Sequence, residues 1–230
     1  LQPSRRILLV GGGWIGLEVA ATAVAQGCQV TVVHPDEVPL QNVLGHTVGE
    51  YFQRAHESHG VEFVNSARVI DIRQTSDGVE VELEDGRRLD ADTVLVAIGA
   101  EPMTEFIDAD LLAANGGVAV DEAMRTSDPH VFAAGDIASC DNSFYGVEMR
   151  SEHWANAHMT GTIAAHSMLG LDSDYDPLPF FFTDQYELYM EYAGWTGRGA
   201  VDNVVIRGDL SADSFWAFWL DEQRVVAAMH

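Results

Sequence analysis

The sequence contains no lysine: all twelve basic residues are arginine, set against 36 aspartates and glutamates for a formal net charge of −24. A chain this acidic repels phosphate backbones and anionic bilayer surfaces, which argues against nucleic acid and membrane partners. Cysteine is scarce. Cys28 and Cys140 lie far apart with no CxxC pair, so neither a zinc site nor a dithiol centre is indicated, and a reducing compartment suits the composition. No apolar run approaches the roughly 20 residues of a membrane-spanning helix. The stretch Ile7–Val10 is too short for a signal peptide and runs straight into glycines. A cytoplasmic protein is expected. There is no G-x-S-x-G elbow, and the nine histidines are scattered, so no serine nucleophile and no metal site is expected. The chain opens at Leu1 rather than methionine and stops on a strand-like stretch at 225–230 with no closing turn, so both ends look cut.

What is present is the material of a folded protein: 47% of residues are hydrophobic and five are tryptophan. Arg6–Val10 (RILLV) suits a parallel strand buried on both faces. Gly11, Gly13 and Gly16 follow, then an Ala/Val-rich helix to about Ala25 closed by Gly27, then a strand at Gln29–Val33. A helix over about Thr47–His59 and a strand at Val61–Val64 complete a βαβ pattern. Ala67–Arg73, Val79–Glu84 and Arg87–Ala91 then alternate by twos around Ser76–Asp77–Gly78 and Asp85–Gly86, which predicts an antiparallel meander. Thr93–Ile98 restores a buried strand ended by Gly99. Val118–Val120 and the apolar run Val131–Ala134 read as further strands, the latter ending in Gly135–Asp136. Ser151 reads as the N-cap of a helix from Glu152 to Leu169, stopped by Gly170. After a turn-rich segment, Leu171–Pro179, strands are expected at Glu187–Ala193, Val201–Arg207, Phe215–Leu220 and Arg224–Ala228.

G-x-G-x-x-G between a strand and a helix gives each glycine a task. Gly11 permits the tight turn, Gly13 lets backbone approach a pyrophosphate, and Gly16 lets the helix pack close. Trp14 and Ile15 open the helix whose N-terminal N–H groups would face the phosphates. The acidic ribose ligand usual at the end of the second strand is replaced by His34. Either His34 or, if His34 is an exposed loop residue, Asp36 takes the ribose. No arginine is near in sequence to meet a 2′-phosphate, which favours NADH over NADPH. Glu18, just past the loop, is either a solvated or capping carboxylate or an anchor for the nicotinamide carboxamide.

GGGWIGLEVAATA, VLVAIGAEP, TSDPHVFAAGDIA, RSEHWANAHMTG and PFFFTDQY occur in this order along essentially the whole chain. Together they resemble the FAD-dependent NAD(P)H:ferredoxin reductases of the pyridine nucleotide-disulfide oxidoreductase superfamily. That group includes the putidaredoxin, rubredoxin and dioxygenase reductases, with apoptosis-inducing factor as a relative. The resemblance implies an α/β fold in three parts: a Rossmann-like NAD(P)-binding domain with an inserted β-meander (1–118), the C-terminal portion of an FAD-binding domain (119–172), and a truncated α+β C-terminal domain with an antiparallel sheet (173–230). It implies that Asp136, after Gly135 at a strand's C-terminal end, accepts a ribityl hydroxyl, and that the family's N-terminal FAD segment is missing.

By the same resemblance the helix after Ser151 points its N-terminus at the flavin. Glu152, His153 and Trp154 lie along the ring, joined by Phe182 where relatives commonly carry tryptophan. Ile98 and Gly99 help seat NADH, and Glu18 and Trp154 are the candidate catalytic residues. Hydride would pass from NADH to FAD and electrons onward to a ferredoxin-type iron–sulfur protein, by a monomer or homodimer; the 230-residue chain alone is expected to be incomplete. Ferredoxins are themselves acidic, so docking would need a local basic patch. A non-catalytic redox-sensing or interaction protein, like apoptosis-inducing factor, is the alternative.

Overall fold

The computed structural model describes residues 2–172, 175, 178–197 and 201–230. In chain order the first elements are β1 (Arg6–Val10), α1 (Trp14–Ala25), β2 (Gln29–Val33), α2 (Gln41–Ser58) and β3 (Val61–Val64). The meander β4 (Val69–Thr75), β5 (Gly78–Leu83) and β6 (Arg88–Ala91) follows, and then β7 (Thr93–Val96). Beyond these lie β8 (Val118–Val120), β9 (Ala138–Asn142), β10 (Val147–Met149), α3 (Trp154–Met168), β11 (Phe180–Gln185) and β12 (Leu188–Gly194). Strands β13 (Val204–Asp209), β14 (Ser214–Asp221) and β15 (Arg224–Met229) close the described chain. Packing divides these into two compact units. One comprises Leu1–Gly99, Phe182–Met190 and Thr196–His230; the other comprises Ala100–Phe181 and Glu191–Trp195.

In the first unit the parallel strands run in the order β3-β2-β1-β7. Strand β1 alternates its allegiance. Ile7 and Leu9 join Ala20 and Ala23 of α1, with Val30, Val32 and Val61, on one side. Leu8 joins Val33, Val81, Leu83 and Ala91 on the other, so the meander forms the second cover. A sheet buried on both faces explains the unbroken aliphatic run of β1. The antiparallel sheet has the order β11-β12-β15-β14-β13, and α2 packs against it. Trp219 is fully buried, and its indole N–H donates to the Leu44 carbonyl at 3.2 Å. Tyr51 meets Phe215 edge-on at 4.9 Å. Helix α2 breaks at Gly45, whose φ is 75°, and a Cβ there would stand 2.2 Å from the Val201 carbonyl oxygen. The regular helix beyond that break is the one expected from about Thr47.

In the second unit β8 and β9 pair in parallel and β9 and β10 antiparallel. Helix α3 covers them through Ile163 and Ala164, which pack with Val118, Ala138 and Cys140. Three expectations are corrected here. Val131–Ala134 is not a strand: it makes a single bridge, Arg125 to Phe132. The strand is the following stretch, β9, so Asp136 lies in a short 3-10 turn before a strand rather than at a strand's C-terminal end. Ser151 is not the helix cap. Helix α3 starts at Trp154 with His153 as N-cap, while the Ser151 hydroxyl pairs with His153 Nδ1 at 3.2 Å. PFFFTDQY proves to contain a strand of its own, β11. The turn-rich stretch expected over Leu171–Pro179 includes 173, 174, 176 and 177, which lie outside the described residues.

Candidate dinucleotide and flavin sites

Strands β1, β2 and β7 end around a cleft of about 580 Å³. It lies where the chain, having built β2 and β3 on one side of β1, returns to add β7 on the other, the switch point at which open α/β sheets bind ligands. Gly11, Gly13, Trp14, His34, Asp36, Ile98 and Gly99 all line it. Gly11 has φ +117°, and a Cβ there would meet the Ala97 carbonyl oxygen at 2.2 Å. Gly16 lies beneath, where a Cβ would be 2.3 Å from the Gly11 oxygen. Around Gly13 a Cβ would meet nothing within 4 Å, which leaves the approach to the backbone open. Gly13 is also the N-cap of α1 and supplies no side-chain hydrogen bond to the first turn. This is the form of a pyrophosphate cradle.

His34 is not an exposed loop residue: it is 2% exposed, and its Nε2 pairs with Asn65 Oδ1 at 3.0 Å. Burial holds its pKa below the ordinary imidazole value. Asp36 also lines the cleft, where Asn42 Nδ2 donates to its Oδ2 at 3.0 Å. Ile15 and Glu18 are not brought into the cleft lining; both are exposed on α1. Glu18 neither caps a helix nor stands free, because its Oε1 accepts from the Thr183 hydroxyl at 2.6 Å. The expectation that no arginine is near fails: Arg68 lines the same cleft. The parallel pairing of β3 with β2 returns the chain past His34, and Ala67 N donates to the His34 carbonyl at 3.0 Å. That proximity is invisible in linear spacing.

In the second unit Gly135 has φ +75°, and its N–H donates to Thr160 Oγ1 at 2.8 Å, which ties the turn to α3. Asp136 is exposed, and its carboxylate makes no hydrogen bond or ion pair among the described residues, while its carbonyl accepts from Arg150 at 2.6 Å. Arg150 also holds Glu152 at 2.8 Å. Burial lowers the pKa of His153, against the pull of Glu152 and Asp136, and its ring leans on Phe181 at 4.6 Å. Trp154 is 75% exposed, so ordinary helix packing does not account for it. Helix α3, like α1, has no side-chain cap. Phe182 belongs to the first unit, half-exposed on β11 and stacked toward Tyr189 at 6.4 Å.

Residues 1–161 match the pyridine nucleotide-disulphide oxidoreductase family. The chain belongs to that family. Residues 180–230 of this family member match the reductase C-terminal family. It is 38% identical over 229 residues to the ferredoxin–NAD(+) reductase component of the anthranilate 1,2-dioxygenase system of Burkholderia cepacia, covering 99% of this chain and 56% of that protein. It is 32% identical to putidaredoxin reductase of Pseudomonas putida, covering 99% and 54% respectively. Among solved structures, the covalent putidaredoxin reductase–putidaredoxin complex superposes with a TM-score of 0.91 at 32% identity, covering 99% of this chain and 55% of that one. The ferredoxin reductase for the CYP199A2 system of Rhodopseudomonas palustris gives 0.89 at 33% identity, covering 98% and 55%. The chain thus spans about half the length of these relatives. The fold expected from the sequence, a mixed α/β chain with a parallel sheet, an antiparallel meander and a further antiparallel sheet, is the one found.

Sequence reasoning missed Arg68, Asn42 and the partners of Glu18. The TDQY stretch that holds Glu18 was visible as a motif, but nothing in its spacing connects it with residue 18.

Proposed function

We propose that this chain carries the NADH-binding part and one wall of the flavin site of an FAD-dependent reductase that delivers electrons from NADH to a ferredoxin-type iron–sulfur protein. The single observation that carries this reading is the presence in one chain of two places with the form of a nucleotide cradle. One is a glycine-cradled cleft at the switch point; the other is a loop–helix corner where the Asp136 carboxylate accepts no hydrogen bond among the described residues, beside a helix end with no side-chain cap. Residues 1–118 serve as the NAD(P)-binding domain, 119–172 as part of an FAD-binding domain, and 173–230 as part of the C-terminal domain. The protein is cytoplasmic and acts as a monomer or homodimer.

The residues present fit FAD. An acceptor carboxylate suits a ribityl hydroxyl, and the positive end of α3 suits the electron-rich edge of a flavin ring. When bound, FAD supplies the conversion between the two-electron chemistry of NADH and single-electron delivery to an iron–sulfur centre. This chain's residues do the holding. Gly13 and the α1 N-terminus take the pyrophosphate, and His34 or Asp36 takes the ribose. Ile98 and Gly99 border the nicotinamide, and Glu18 accepts from its carboxamide. Glu152, His153 and Trp154 border the flavin. Likeness to a ferredoxin–NAD(+) reductase component, and to a reductase solved in covalent complex with putidaredoxin, supports a ferredoxin-type partner by analogy.

The test is steady-state NADH oxidation by the intact flavin-loaded protein that carries this chain, first with ferricyanide and then with ferredoxin as acceptor. Fast reduction of both is expected. A protein that holds flavin yet reduces neither is a redox sensor or interaction protein instead, and one that binds NADH but no FAD is a lone dinucleotide fold.

A further inference from the structure

Glu18 stands one helical turn beyond Trp14 on α1 and is the end of a chain of hydrogen bonds that crosses the first unit. Thr183 Oγ1 lies 2.6 Å from Glu18 Oε1. Gln185 Nε2 lies 3.2 Å from Thr183 Oγ1, and His56 Nε2 lies 2.8 Å from Gln185 Oε1. The Tyr186 hydroxyl lies 2.8 Å from His56 Nδ1. Thr183, Gln185 and His56 are 3%, 1% and 0% exposed.

The direction of every bond follows from the carboxylate. An ionised carboxylate can only accept, so the one Thr183 proton goes to Glu18. Thr183 must then accept, which turns the amide nitrogen of Gln185 toward it and the amide oxygen toward His56. That oxygen can only accept, so His56 carries its proton on Nε2 and receives the Tyr186 hydroxyl at Nδ1. Four donors therefore point one way, and bonds aligned in this manner polarise and strengthen one another. Protons do not travel along the chain, because the Gln185 amide would have to pass through an imidic acid to hand one on. What it transmits is orientation. Glu18 Oε2 has no partner among the described residues and is left to accept from a ligand.

We propose that Thr183, Gln185, His56 and Tyr186 are positioning residues that hold the Glu18 carboxylate as a fixed acceptor for the carboxamide N–H of the nicotinamide. This rests on the reading of Glu18 given above, by which the nicotinamide end of the ligand extends past the cleft lining to the exposed face of α1 that carries Glu18. The network joins the second helix and a strand of the reductase C-terminal region to the first helix of the dinucleotide fold, and every buried polar group in it is satisfied.

NADH binding compared with ADP-ribose binding tests it, since ADP-ribose fills the same cradle but has no carboxamide. Thr183→Val removes the hydroxyl at nearly constant volume. It is expected to weaken NADH about tenfold, with ADP-ribose unchanged and Thr183→Ser close to the native value. Tyr186→Phe keeps the ring stacked on His59 and removes only the first donor; about a threefold loss confined to NADH is expected. If Glu18→Ala leaves the NADH to ADP-ribose ratio unchanged, the reading of Glu18 itself fails. If Glu18→Ala alters that ratio while Thr183→Val and Tyr186→Phe do not, the positioning role alone is overturned. Equal weakening of both ligands by Thr183→Val also overturns it, since the network would then support only the fold.

Discussion

His56 is fully buried, and burial pushes its pKa from 6.5 down to about 4, with the neighbouring His59 acting in the same direction against the Gln185 hydrogen bond. The unfolded chain therefore binds a proton here at a higher pH than the folded one does. Stability from this residue is complete above the unfolded value and is lost as pH falls through the window between 6.5 and about 4. A depression of this size corresponds to roughly 3 kcal/mol. Denaturant titrations near neutral pH and near the acid end of that window should show a loss of this order, and His56→Gln should flatten the dependence. His34 and His153 are lowered too and add in the same sense. At this scale the tasks of Gly11 and Gly16 were legible because each is a local steric requirement. The buried state of His34 and the presence of Arg68 were not, because both depend on the register between β2 and β3.

Among the elements, the glycine loop makes a sharp contrast available. Gly16→Ala would drive a Cβ to 2.3 Å from a backbone oxygen, whereas Gly13→Ala meets nothing within 4 Å. The first substitution should lower thermal stability markedly, by about 2 kcal/mol or more. The second should leave stability nearly unchanged and weaken NADH binding at least tenfold, because it occupies the approach to the pyrophosphate. Calorimetry and ligand titration on the two variants separate these outcomes. The elements β1, α1, β2, β3 and the meander follow the sequence closely, since unbroken aliphatic runs, helical spacing and alternation each dictate which faces are covered. Val131–Ala134 does not, because apolar content makes a strand only where a ladder partner exists. Polar-looking Ala138–Asn142 is a strand because β8 and β10 flank it. Strand β11 escaped notice because its aromatic run reads as a motif before it reads as an alternating strand.

For the whole molecule, charge is the dominant quantity. Arg5, Arg6, Arg54, Arg73, Arg87, Arg88 and Arg150 already face carboxylates. Against a net charge of −24, few other cations stand among the described residues to attract an acidic protein. Under the proposed function, encounter with an acidic ferredoxin is slowed by repulsion from this chain, and raising ionic strength from about 0.01 M to about 0.15 M should speed ferredoxin reduction severalfold. Stopped-flow rates across that range check it. A rate that falls with salt would mean that a concentrated basic patch outweighs the background. Net charge was readable at once from composition. The placing of the arginines was not, because ion pairs such as Arg6 with Asp92 join residues distant along the chain.

The bond from Thr183 to Glu18 spans 165 positions of sequence. A recombination event that kept the glycine loop but replaced residues 180–230 would inherit a dinucleotide cradle whose reading head had lost its alignment. Parts that look exchangeable by fold are thus bound to be inherited together.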